Sequence, residues 1–120
     1  MIKSFGGINL SAKDIKSMVD FYKDIIELPV LSEGYGNYDG IEFGFGESGT
    51  RIWIWDENKW GESSTGSVNL VFYVDDLDEF YYKLQEKGFD CKPPFTADWG
   101  GKEFKLVDPC GNVLTLLQTA

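Results

Sequence analysis

The chain has 120 residues, 42% of them apolar and 26% charged, which suits one ordinary folded domain with enough Phe, Tyr and Trp to build a core. Its net charge of −9 argues against a nucleic-acid or anionic-membrane binder, because both need a clustered cationic face. Histidine is absent, which removes Ser-His-Asp and Cys-His catalysis.

In chain order, the opening MIKSFGGINL lacks the basic region and long apolar run of a secretory leader, and no apolar run approaches the ~18 residues of a membrane span. The two cysteines, Cys91 and Cys110, lack metal-type spacing. A cytoplasmic location with reduced thiols is therefore expected.

Gly7 to Ala12 alternates as a half-buried strand, with Ile8, Leu10 and Ala12 on one face and Gly7, Asn9 and Ser11 on the other. Asp14 caps a helix whose stripe is Ile15, Met18, Val19, Tyr22, Ile25 and Ile26, and Pro29 stops it. Strands are predicted at Val30 to Glu33, Ile41 to Phe45 and Arg51 to Trp55, separated by the turns GYGNYDG and GESGT. The polar segment Glu57 to Gly66 is the one plausible linker.

The second half repeats the order. Val68 to Val74 alternates, Asp76 and Glu79 make a capping box, Leu77, Phe80, Tyr81 and Leu84 form the helix stripe, and Gly88 ends it. Strands around Cys91 to Trp99, Lys102 to Val107 and Val113 to Gln118 follow, the first made irregular by Pro93 and Pro94. The helix-opening Asp14 and Asp76 are separated by the same offset as the turn glycines Gly49 and Gly111. An internal repeat of this kind predicts an α+β fold of two βαβββ modules, forming a curved mixed sheet around a groove. One domain spanning 1–120 is expected, with module 1 at about 1–56, the linker at 57–66 and module 2 at about 67–120.

This doubled order, with FY inside the first helix and WGGKEFKLVDPCGN near the end, resembles the vicinal oxygen chelate superfamily of glyoxalases, extradiol dioxygenases and bleomycin-resistance proteins. The resemblance implies ligand positions on the first and last strand of each half, and these fall on Gly7, Trp53, Asn69 and Thr115. None is a histidine or carboxylate, so the usual divalent-metal site is expected to be absent, with no cofactor and no catalytic residue assigned. The metal-free, bleomycin-resistance-type members are the nearest in character. That comparison implies sequestration of a planar, cationic antibiotic by a homodimer, with Trp53, Trp55, Asn69, Tyr73, Thr115, Asn9, Trp99 and Trp60 as the binding residues. The alternative is a lyase- or dioxygenase-type enzyme with an atypical, carboxylate-only metal site drawn from Glu33, Asp39, Glu42, Asp56 or Glu103.

Overall fold

Alternation of apolar and polar side chains builds a first sheet in which β1 (Gly7–Ala12) lies parallel to β4 (Arg51–Asp56). β3 (Gly40–Gly44) and β2 (Val30–Glu33) continue it antiparallel, in the order β1-β4-β3-β2. The structure, a computed structural model, describes residues 1, 3, 5–34, 40–46, 49–63 and 67–119. Asp39, Tyr35 and Tyr38 of the turn GYGNYDG, part of GESGT and the end of the connector lie outside these residues. The chain divides into two compact units, Met1–Gly66 and Ser67–Ala120.

The helical segment of the first unit departs from a plain α-helix. Asp14 accepts a hydrogen bond from the Ser17 amide at 3.3 Å and opens α1 (Ile15–Val19), which passes into a π-helical stretch over Asp20–Ile25. The wider turn, closed by the Ile26 amide on the Phe21 carbonyl at 3.0 Å, turns the consecutive Phe21 and Tyr22 both inward. The 3.6-residue stripe had included only Tyr22. The two rings meet edge to face at 5.0 Å, and Tyr22 reaches Phe43 of β3 at 6.1 Å. With Met18, Ile41 and Ile54 they form a core in which each buried large side chain contributes roughly 1.5 to 3 kcal/mol.

The second unit repeats the plan as β5 (Asn69–Tyr73), α3 (Leu77–Glu86), β6 (Phe95–Thr96), β7 (Lys102–Val107) and β8 (Val113–Gln118), with sheet order β5-β8-β7-β6. Asp76 caps α3 by accepting from the Glu79 amide at 3.1 Å, and Leu77 and Leu84 bury its inner stripe. The turn after β7 is held from inside: buried Asp108 accepts from the amides of Cys110 and Asn112, while Asn112 Oδ1 takes the Val68 amide at 3.0 Å. The strand expected around Cys91 to Trp99 shrinks to Phe95–Thr96, since Pro93 and Pro94 have no N–H for a ladder. The connector carries a short helix, α2 (Glu57–Trp60), capped by Asp56. Among the described residues no helix is long and apolar enough to cross a membrane.

Candidate functional site

Strand alternation that buries Ile52 and Ile54 sends Arg51, Trp53 and Trp55 to the other side of the first sheet. The register sets Asn9 and Glu42 on either side of Trp53, and Ser11 beside Trp55. The Trp53 indole leans over the start of β1: a Cβ built on Gly7 would stand 2.8 Å from its Cζ3 and would collide with the Arg51 carbonyl oxygen. Glycine is therefore needed at position 7 by its neighbours, and the tryptophan occupies the space a side chain there would use.

Glu42, Arg51, Trp55 and Ser11 on this face are each paired. Glu42 accepts from Ser32 Oγ at 3.1 Å and faces Arg51 Nε at 3.3 Å, both side chains about four-fifths buried. Arg51 also donates from Nη1 to the carbonyls of Gly46 and Gly49, at 2.7 and 2.9 Å. The Trp55 indole N–H donates to the Gly61 carbonyl at 2.9 Å, while Ser11 and Ser63 exchange amide-to-hydroxyl bonds of 3.0 Å each way. The connector is thus tied back onto β1, the edge strand of this sheet, and Trp60 stays exposed at the end of α2.

On the second sheet, Asn69, Tyr73 and Thr115 share the face opposite the buried Leu70, Leu114 and Leu116. Thr115 Oγ1 donates to Asn69 Oδ1 at 3.0 Å. Tyr73 is 78% exposed. Trp99 packs its ring on Gly101 and donates its indole N–H to Glu103 at 2.9 Å, which joins it to the row containing Tyr73, Leu117 and Phe95.

A model of the glyoxalase/bleomycin resistance protein/dioxygenase superfamily matches residues 4–116. The chain belongs to that superfamily. It is 32% identical over 120 residues to the uncharacterized protein YraH of Bacillus subtilis (strain 168), covering 91% of this chain and 93% of that protein. Its fold matches a lactoylglutathione lyase from Agrobacterium tumefaciens with a TM-score of 0.75, at 18% identity over 98% of this chain and 94% of the other. A glyoxalase/bleomycin resistance protein from Streptomyces sp. CB03234 is 25% identical with a TM-score of 0.72, covering 96% of this chain and 100% of the other.

The superfamily's divalent metal does not fit the residues at the four positions that the resemblance assigns to it. In the first unit Gly7 has no donor and Trp53 offers only an N–H. In the second, the Asn69 and Thr115 oxygens are neutral and hydrogen-bonded to each other. The candidate carboxylates are also engaged one by one: Glu33 with Lys23, Glu42 with Arg51, Asp56 with Asn58 and Glu103 with Trp99. No group of three or more Cys, Asp or Glu that could hold an ion occurs among the described residues.

The Glu42–Arg51–Ser32 cluster escaped the sequence reading as a unit, because its members lie on three different strands. The one available signal was Glu42 between the apolar Ile41 and Phe43, which put it on the face opposite the core.

Proposed function

We propose that this superfamily member is a metal-independent binding protein that sequesters a planar, amphipathic small molecule, bleomycin-like in carrying a cationic group, and that it acts as a cytoplasmic homodimer without turnover. The observation that carries this reading is the Thr115–Asn69 hydrogen bond, with its counterpart in Trp53 filling the space over Gly7. Positions that serve metal chemistry elsewhere in the superfamily hold neutral, mutually satisfied side chains. Trp53 adds a flat apolar wall flanked by Asn9 and Glu42. The net charge of −9 favours approach of a cation. The 25% identity to a glyoxalase/bleomycin resistance protein is in keeping with this role.

Calorimetric titration of chelator-treated protein with nickel, zinc, manganese and ferrous ions tests the first half. No stoichiometric binding is expected, and a tight one-to-one isotherm would overturn the reading in favour of an enzyme. For the second half, quenching of tryptophan fluorescence by bleomycin is expected in the wild type. Trp53→Ala with Trp55→Ala should weaken binding by about tenfold or more, given ~0.5 to 1.5 kcal/mol per aromatic pair in addition to lost burial.

A further inference from the structure

Beside β7 the second unit opens into a cleft of about 520 Å³, walled by Phe89, Pro93, Phe95 and Val107 and bearing Lys92 and Lys105. Local sequence accounts for it. Gly88, at φ 77°, lets the chain leave α3, with the Gly88 amide on the Gln85 carbonyl and the Phe89 amide on the Leu84 carbonyl, both at 2.9 Å. This delivers Phe89 to the cleft wall. β6 then pairs with β7 only at Phe95↔Glu103 and Thr96↔Lys102. Continuing that register would set Pro93 against Lys105 and Cys91 against Val107, but prolines cannot donate to the ladder and the chain stands away.

At the corresponding edge of the first unit the paired strands stay together among the described residues. There β2 follows β3 from Val30↔Phe43 to Glu33↔Ile41, and the Pro29 carbonyl takes the Gly44 amide at 3.1 Å. The opening is therefore a departure from the repeat.

Charge says what the cleft would accept. In a chain of net charge −9, Lys83 and Lys102 of this unit are paired with Glu79 and Asp78. Lys92 and Lys105 have no ion-pair partner among the described residues, and both line the cleft, with Asp90 as the one carboxylate among its described lining residues. Two cations against one anion, above apolar walls, is the reverse of the molecule's overall balance.

We propose that this cleft binds an amphipathic organic anion, with an apolar body against Phe89, Phe95 and Val107 and a carboxylate taken by Lys92 and Lys105. Burial of the body supplies most of the affinity, at ~25 cal/mol per Å², while the exposed lysines select the sign of charge. The proposal uses none of the residues of the metal and tryptophan reading, although Lys105 lies beside Thr115 in the β7–β8 register.

Cys91 lines the same cleft and serves as the reporter. Burial, with a smaller push from Asp90, raises its thiol above the ordinary value, so it alkylates slowly and measurably. Exposed Cys110 in the turn after β7 is the internal reference. Iodoacetamide rates at both cysteines are followed by mass spectrometry with decanoate or decylammonium, each below its micelle concentration.

Decanoate well above its Kd should slow Cys91 by about tenfold, leaving Cys110 unchanged and decylammonium without effect. The double variant Lys92→Gln, Lys105→Gln, which changes two exposed side chains and leaves the core intact, should lose the protection while keeping its circular dichroism spectrum. An unchanged Cys91 rate with decanoate, equal protection by decylammonium, or protection surviving in the double variant would each overturn the proposal.

Discussion

A methyl group at Gly7 has nowhere to go. The Arg51 carbonyl and the Trp53 ring already occupy that space, and neither is the loose end of a flexible chain. Gly7→Ala should therefore destabilise the protein by about 1 to 3 kcal/mol, the usual cost of overpacking, read as a lower urea midpoint. A change under about 0.5 kcal/mol would show that the indole swings away freely. Asn69 and Thr115 illustrate what could and could not be read at this scale. Their shared face followed from strand alternation, but their mutual hydrogen bond depends on rotamers and register that a single sequence does not display. Trp55 is the converse case: its face was legible, whereas the engagement of its N–H by Gly61 required the connector's path.

Among the elements, α3 was the most legible because every signal agreed: a capping Asp76, an apolar stripe and a terminal glycine. Gly88→Ala places a side chain at φ 77° and should cost about 1 kcal/mol or more in a thermal or urea melt. An unchanged midpoint would mean that the helix end refolds around the substitution. The same helix is joined to β7 by Lys102 Nζ and Asp78 Oδ2 at 2.6 Å. The hydrogen bond that Lys102 donates to Asp78, with lesser electrostatic support, raises the Lys102 pKa above 10.5. A group raised in this way contributes its stability fully below the unfolded lysine value and loses it as pH climbs through the folded one. Asp78→Asn should therefore lower stability slightly and evenly from neutral pH upward, with the difference from wild type closing only above 10.5. A difference that closed near neutrality would assign the effect to another group. The π-helical stretch Asp20–Ile25 was not legible. Its driving force is the joint burial of Phe21 and Tyr22, a tertiary demand that outweighs the regular helical period.

For the molecule as a whole, the doubled βαβββ order carried the fold, because the repeat fixed both halves at once where either alone would have been ambiguous. Val71 and Tyr73, 57% and 78% exposed on the open face of the second sheet, suit coverage by a second copy in the proposed homodimer. Sedimentation at micromolar concentration should give the mass of two chains, and Val71→Asp with Tyr73→Asp should shift it to one; a wild-type monomer would remove the dimer from the proposal. The way the ligand positions are filled also bears on how this lineage can change. A histidine at position 7 would meet the Arg51 carbonyl as well as the Trp53 ring, while an acidic residue at 115 removes the hydroxyl that now donates to Asn69. In each couple the two residues answer for one another, so a change at one is felt first by its partner across the strand pair.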